Sequence, residues 1–149
     1  MLDPKPKSES LRFCLCPSDR GTYVLVTVDV AKVDHAWQPI REHYIGLDGS
    51  GAKLERLEGF SRWINENPGK PIWASTVYLS DERNWVHFHD GRHRFAVLRD
   101  LGYRTVKVAV PRGQAARFRE HFARQVGGLS KKRKPGRASR PPKKNRPSR

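Results

Sequence analysis

The fold is decided by one continuous stretch, which reads Trp85-Val86-His87-Phe88-His89-Asp90-Gly91-Arg92-His93-Arg94-Phe95-Ala96. Apolar and polar residues alternate up to His89, which predicts a strand. Gly91 permits a sharp turn, and Phe95, Leu98 and Leu101 then recur at helical spacing. Gly102 fits the position just beyond the end of that helix. The stretch therefore predicts a strand, a tight turn and a helix in succession.

Further strands and helices are predicted on either side of this stretch. The predicted segments are a strand at Tyr23–Val30, a helix at Ala31–Trp37, a glycine-rich loop at Tyr44–Gly51, a helix at Ala52–Asn65, a strand at Pro71–Leu79, a strand at Thr105–Val110 and a helix at Arg112–Val126. Strands and helices alternate in the second half. This order predicts a mixed α/β or α+β domain, in which helices pack on a small sheet.

The charge is concentrated at the C-terminal end. The chain has 149 residues, 30 Lys and Arg against 15 Asp and Glu, and a formal net charge of +15. Residues 127–149 hold ten cations and no acid, which leaves a net charge of +5 for residues 1–126. The ten cations are Lys131, Lys132, Arg133, Lys134, Arg137, Arg140, Lys143, Lys144, Arg146 and Arg149. We therefore expect a flexible arm at 1–10, one domain at 11–126 and a disordered basic tail at 127–149.

The hydropathy pattern, the N-terminal residues and the cysteine content indicate which cellular compartment to expect. Charged residues interrupt every apolar run well before the roughly 18 residues that cross a membrane. Residues Met1–Lys5 contain no apolar leader segment, so neither membrane insertion nor a secretory signal is expected. Cys14 and Cys16 are too few for a disulfide framework and indicate free thiols in a reducing compartment. The expected location is the cytoplasm.

The turn at Asp90–Arg94 is the strongest candidate for chemistry. The first N–H groups of a helix lack intrahelical partners and carry partial positive charge, which suits an anion. Arg92, His93 and Arg94 add donors for phosphate oxygens on the same turn, and Gly91 lets a ligand approach the backbone. The alternative is that both arginines are solvated and His93 packs locally.

Two other segments are candidates for binding phosphate. Gly49, Ser50 and Gly51 lie in the glycine-rich loop, which is either a second phosphate cradle or a plain flexible loop, and it lacks the ending of a P-loop. The ten cations of the tail predict salt-sensitive, sequence-independent binding of nucleic acid. A tail that only increases solubility is the alternative.

Metal ligands and aromatic platforms give weaker signals. His87 and His89 alternate on the predicted strand beside Asp90, so the three either hold a divalent metal or form an ordinary half-exposed surface. A zinc site made with Cys14 and Cys16 would need the two strands to be adjacent. Among the four tryptophans, Trp63 is expected in the core, and Trp85 is the best candidate for an exposed ring.

A family resemblance covers roughly Tyr23–Phe122. Phe88–Pro111, with its Gly91-Arg92-His93-Arg94 turn and its Leu98–Gly102 segment, resembles the nucleotide-binding core of the ParB/sulfiredoxin superfamily. Together with Val28–Trp37 and Tyr44–Gly46, the chain more closely resembles the plasmid fertility-inhibition factors, the Osa and FiwA-like proteins.

The resemblance implies a fold and a set of activities. It implies a ParB/sulfiredoxin-like domain that binds and hydrolyses ATP with Mg²⁺, cleaves DNA, and blocks DNA transfer by acting at the coupling ATPase of a type IV secretion system. Gly91, His93 and Arg94 match the phosphate-binding residues of sulfiredoxins, and His93, Arg94 and Asp90 are the implied catalytic residues. Arg92 stands where sulfiredoxins carry their cysteine and ParB proteins an acid, so neither sulfiredoxin chemistry nor a CTP-driven clamp is implied.

Two function classes therefore stand side by side. The first is a fertility-inhibition factor that binds the phosphates of a nucleotide or of DNA at the Asp90–Arg94 turn, with an ATPase or DNase activity implied by resemblance. The second is a non-enzymatic accessory protein that binds nucleic acid, or the coupling ATPase, through its surface and its basic tail. The sequence does not fix the oligomeric state.

Overall fold

Six strands form two sheets in the computed structural model, which describes residues 11–80 and 83–124. The strands are β1 (Phe13–Cys14), β2 (Tyr23–Asp29), β3 (Ile72–Trp73), β4 (Ser75–Leu79), β5 (Val86–Asp90) and β6 (Thr105–Pro111). The short strands β1 and β3 pair in parallel. The other four form one sheet in the order β2-β6-β4-β5.

Four helices accompany the sheet in the part of the chain that the structure describes. They are α1 (Val30–Trp37), α2 (Leu54–Glu66), α3 (Arg92–Asp100) and α4 (Ala115–Phe122), with 3₁₀ turns at Pro17–Asp19 and Arg112–Gln114. Helix α1 begins directly after β2 because Asp29 caps it: Asp29 Oδ1 accepts from the N–H groups of Ala31, at 2.9 Å, and Lys32, at 3.2 Å. No described helix is long and apolar enough to cross a membrane.

The sheet is mixed, and its pairing explains the runs of valine. Strand β6 lies between β2, with which it is antiparallel, and β4, with which it is parallel; β4 and β5 are antiparallel. Val28 pairs with Val106, and Val26 pairs with Val108. All four side chains are buried, as alternating valines on adjacent strands require.

Trp37 is the centre of the aromatic part of the core. It is fully buried, and its ring lies 4.4 Å from that of Phe88, 4.8 Å from that of Tyr44 and 5.9 Å from that of Phe95, measured between centroids. Phe88 is on β5 and Phe95 on α3, so this cluster fixes the two elements that flank Gly91.

The predicted fold class is confirmed: the domain is a mixed α+β structure with helices packed on a small mixed sheet. Two predicted elements differ. The strand at Pro71–Leu79 is interrupted at Ala74, since β3 pairs with β1 while β4 joins the large sheet. The last helix starts as a 3₁₀ turn and α4 ends at Phe122, where the next residue, Ala123, is extended. The predicted arm at 1–10 and tail at 127–149 lie outside the described residues.

Helix α2 packs less closely than the others. Its apolar residues Leu57, Phe60 and Ile64 are partly buried against the core, and none of its residues is fully buried. The aromatic side chains on α2 therefore keep accessible surface.

Candidate functional site

The turn before α3 depends on Gly91. Its φ of 83° is left-handed, and its carbonyl accepts from Phe95 N–H at 3.0 Å to begin the helix. A Cβ at Gly91 would lie 2.7 Å from Ser75 Oγ and 2.9 Å from Ser75 Cα. Ser75 Oγ also donates to the Gly91 carbonyl at 2.7 Å. The glycine is therefore required for packing against β4, whereas the sequence had indicated the approach of a ligand.

A cleft of about 220 Å³ opens at the start of α3. Its walls carry the cations Lys53, Arg56 and Arg92, one carboxylate, that of Asp90, and three histidines, His43, His89 and His93. No described side chain caps the free N–H groups of α3. The cleft, which we call the basic cleft, thus combines a helix N-terminus with an excess of cations, the arrangement that favours an anion.

Arg92 closes one wall of the basic cleft. Its Nη1 donates to the carbonyl of His43 at 2.9 Å and to that of Gly51 at 3.1 Å. Burial lowers the pKa of Arg92, and the nearby charge of Arg56 lowers it further. The predicted anion-binding arginine therefore also holds the glycine-rich loop against α3.

His93 joins α3 to the start of α2. Its Nε2 accepts from Lys53 N–H at 3.0 Å, which fixes the imidazole as the tautomer protonated on Nδ1. Burial lowers the pKa of His93, and the positive charges of Arg92, Arg56 and Lys53 lower it further. His93 is thus a neutral donor that faces three cations.

Arg94 lies apart from Arg92 and His93. Its Nε donates to the Trp73 carbonyl at 3.0 Å, and its Nη2 lies 3.8 Å from Asp90 Oδ2. It lines a pocket beside Trp73 and does not line the basic cleft. The three side chains expected to act together are therefore divided between two surfaces.

The glycine-rich loop satisfies most of its own polar groups. Gly46 N–H donates to the Ser50 carbonyl at 3.0 Å and Gly49 N–H to the Gly46 carbonyl at 2.9 Å, while Ser50 N–H and Oγ both donate to Asp48 Oδ1. The hydrogen bonds from Ser50 lower the pKa of Asp48. Gly51, at a φ of 86°, leaves no room for a Cβ, which would lie 2.5 Å from the Tyr44 carbonyl oxygen. The N–H groups of Gly49 and Ser50 are thus already used, and Gly51 supplies a carbonyl to Arg92.

Arg99 is a structural residue that the sequence reasoning missed. Its Nη1 donates to Asp34 Oδ1 at 2.9 Å and to the Ile45 carbonyl at 2.6 Å, and its Nη2 donates to the Gly46 carbonyl at 3.1 Å. Burial acts to lower the pKa of Arg99, but hydrogen bonds to Asp100 and Asp34 outweigh it, so that the pKa is raised. Its position four residues after buried Phe95, on the inner face of α3, was the available signal.

The candidate metal ligands are not brought together. His87 is stacked on Tyr78, with centroids 4.9 Å apart, whereas His89 and Asp90 line the basic cleft. Burial lowers the pKa of His87, and the nearby His43 lowers it further. Within residues 11–80 and 83–124, no group of three His, Cys, Asp or Glu side chains is placed to hold a metal.

The adjacency needed for a zinc site is also absent. Strand β1, which contains Cys14, pairs with β3, whereas His87 and His89 are on β5 at the far edge of the other sheet. The hypothesis of a zinc site made from Cys14, Cys16, His87 and His89 is therefore wrong.

The exposed aromatic residue is not the one predicted. Trp85 is half-buried, with the guanidinium carbon of Arg83 4.8 Å from its ring centroid. Trp73 is 51% exposed, more than any other aromatic side chain among the described residues. Its position in a strand of only two residues, beside the break at Ala74, gave no sequence signal. The ten cations proposed to bind nucleic acid lie in 127–149, outside the described residues.

Comparisons with known proteins support the fold. No protein-family model matches the chain, and no curated protein does. Among solved structures, the chain is similar to the crystal structure of oncogenic suppression activity protein, a plasmid fertility inhibition factor, as its gold(I) cyanide derivative. What the two share is a fold. The TM-score is 0.54 at 16% sequence identity, over 73% of this chain and 62% of that one, so this chain spans less than two thirds of that protein's length.

Proposed function

We propose that this protein is a fertility-inhibition-type factor that blocks conjugative DNA transfer through a type IV secretion system and binds nucleotide or DNA phosphates in the basic cleft. The observation that supports this most directly is the cluster of Lys53, Arg56, Arg92 and His93 around the start of α3. The fold it shares with a plasmid fertility inhibition factor supports the biological role. The proposed place of action is the bacterial cytoplasm.

Each residue of the basic cleft has a distinct task in this proposal. Lys53 and Arg56 provide positive charge for a phosphate group, and the free N–H groups of α3 donate to its oxygens. His93 donates from Nδ1, because its Nε2 is engaged by Lys53 N–H. Arg92 closes the wall, and Arg94 orients Asp90 through their 3.8 Å ion pair.

ATP and Mg²⁺ are the proposed cofactors. Mg²⁺ is commonly held by one or two carboxylates together with substrate phosphates, and it neutralises phosphate charge during transfer. Asp90 is the carboxylate in the wall of the basic cleft, so it is the residue that would hold the ion. ATPase or DNase activity at this site is part of the proposal.

The test is nucleotide binding by full-length protein, followed by ATPase and nuclease assays with Mg²⁺ or with EDTA. Arg56→Gln removes one cation and should weaken ATP binding about tenfold, since a hydrogen bond to a charged group contributes about 1.5–3 kcal/mol. Lys53→Gln in addition should weaken it further. Arg62→Gln, an exposed arginine of α2 outside the cleft, is the matched control. Equal ATP affinity in all four proteins would overturn the proposal.

A non-enzymatic accessory role is the second candidate. The observation that favours it is that Arg92 and the loop N–H groups are satisfied by the protein itself. In this role the surface contacts the coupling ATPase and the basic tail binds nucleic acid. Mating assays separate the two: Arg56→Gln with Lys53→Gln should still block transfer, whereas a chain truncated after Val126 should not.

A further inference from the structure

A second concave surface lies between α2 and the β1–β3 pair, and the side chains that line it are not those of the basic cleft. Phe60, Trp63, Trp73 and Arg94 line a pocket of about 220 Å³. Trp63 and Ile72 also line an adjoining pocket of about 310 Å³, whose walls include Arg12 and Lys70. Because the two pockets share walls, they form one surface, which we call the aromatic groove.

Flat apolar rings are accessible along the aromatic groove. Phe60 and Trp63 are stacked, with centroids 5.9 Å apart and planes 15° from parallel, and neither is fully buried. Trp73 is 51% exposed. Arg94 Nε is hydrogen-bonded to the Trp73 carbonyl, which fixes a guanidinium at the edge of this aromatic surface. Accessible aromatic rings grouped in one concave surface indicate a binding site.

The charge of the groove indicates which class of ligand it binds. Arg12, Lys70 and Arg94 contribute to its walls, and among the described residues no carboxylate does. The occupant should therefore be an anion with flat apolar faces. The chain's own proline-rich tail is a poor match, because residues 127–149 hold ten cations and no acid.

We propose that the aromatic groove binds single-stranded nucleic acid, with bases stacked on Trp73 and on the Phe60–Trp63 pair and with phosphates near Arg12, Lys70 and Arg94. A positively charged groove with accessible aromatic rings is how proteins bind single strands without sequence preference. A duplex offers no free base faces, so it should not use the groove. This deepens the proposed function, on which it rests for the presence of nucleic acid, by naming the single strand as the form bound.

Two features make the groove separable from the basic cleft. Trp73 lines the groove and does not line the basic cleft, and Arg56 lines the cleft and does not line the groove. A substitution at Trp73 therefore tests the groove without touching the residues proposed to bind ATP, and a substitution at Arg56 does the reverse.

The experiment measures fluorescence anisotropy of a labelled 20-nucleotide oligo-dT and of a labelled 20-base-pair duplex with full-length protein. Trp73→Ala should weaken oligo-dT binding about tenfold, since stacking on one aromatic ring is a large part of such affinity. Its duplex affinity should stay unchanged. Trp73→Phe should restore most of the oligo-dT binding, and Leu54→Ala, which removes an exposed apolar side chain outside the groove, should match the wild type.

Several outcomes would overturn the inference. One is equal oligo-dT affinity for Trp73→Ala and wild type, and another is an equal loss for the duplex. A third uses a chain truncated after Val126 and a synthetic peptide of residues 127–149. If the peptide binds the truncated protein and displaces oligo-dT from it, the tail is the ligand of the groove. If Trp73→Ala weakens oligo-dT binding while Arg56→Gln binds ATP as tightly as the wild type, the groove proposal is supported and the proposal for the basic cleft is rejected. The converse pattern rejects the groove alone.

Discussion

At the scale of single residues, Arg92 and Arg94 show how a local pattern separates in three dimensions. With 3.6 residues per turn, side chains two positions apart on a helix point about 200° from each other. Arg92 therefore reaches the carbonyls of His43 and Gly51, and Arg94 reaches that of Trp73. The sequence predicted the turn and the helix after it correctly, but it grouped Arg92 and Arg94 on one site, and helical geometry alone would have assigned the two arginines to different surfaces.

His93 gives a prediction about pH. Its pKa in the folded protein lies below the ordinary value of 6.5, because burial and then the charges of Arg92, Arg56 and Lys53 disfavour the imidazolium. Between the folded and unfolded pKa values the unfolded chain binds more protons, so the free energy of unfolding should fall as the pH drops below about 6.5. His87, whose pKa is lowered by burial and then by His43, acts in the same direction.

Urea titrations at about pH 7.5 and about pH 5 check this. His93→Gln keeps an acceptor for Lys53 N–H but does not titrate, so it should lose less stability between the two pH values than the wild type. His93→Gln combined with His87→Gln should lose less again. A wild-type loss that is the same in all three proteins would mean that neither histidine is responsible.

At the scale of elements, the glycine-rich loop is held by two arginines of one helix. Arg92 at the start of α3 binds the Gly51 carbonyl, and Arg99 near its end binds those of Ile45 and Gly46. Asp34 of α1 completes the arrangement, since it accepts from Arg99 Nη1 at 2.9 Å and from Tyr44 Oη at 3.0 Å. Burial raises the pKa of Tyr44, as does its hydrogen bond to Asp34, so the phenol stays a donor.

Replacing Arg99 should destabilise the whole domain. Its side chain is 6% exposed and that of Asp34 is 16% exposed, so Arg99→Met leaves a largely buried carboxylate without its cation. Breaking a buried pair in this way costs about 3–5 kcal/mol. Chemical denaturation checks it, with Arg104→Met, at an exposed arginine, as control. An unfolding midpoint shared by Arg99→Met and the wild type would contradict the role assigned to Arg99.

These contacts mark the limit of what the sequence could predict. Periodicity placed the strands and helices, because hydrophobic burial acts through local spacing, and β2, α1 and α3 lie close to their predicted positions. The backbone carbonyls that Arg92 and Arg99 bind are 41–54 positions away along the chain, at His43, Ile45, Gly46 and Gly51. Such contacts follow from tertiary packing, which no local pattern contains. The exposure of Trp73 was missed for the same reason.

At the scale of the whole molecule, the net charge of +15 divides between residues 1–126 and residues 127–149. The basic cleft and the aromatic groove place a few cations at fixed positions on the domain. The remaining excess lies in residues 127–149, whose ten cations include the uninterrupted run Lys131–Lys134 and the pair Lys143–Lys144. Cations at fixed positions select a ligand by geometry, whereas a dense run of cations in the sequence binds a phosphate backbone without regard to its sequence.

The dependence of binding on salt should separate these surfaces. The logarithm of duplex affinity falls with the logarithm of salt concentration by about 0.9 for each phosphate neutralised. Removing residues 127–149 lowers the net charge from +15 to +5, so a chain truncated after Val126 should bind duplex DNA weakly and with a shallow slope. Oligo-dT should keep a salt-resistant part of its affinity in the truncated chain, because stacking on Trp73 releases no counterions. Titrations of both ligands over a range of salt concentrations measure this. Equal slopes for full-length and truncated chains on duplex DNA would show that the domain, and not the tail, neutralises the phosphates.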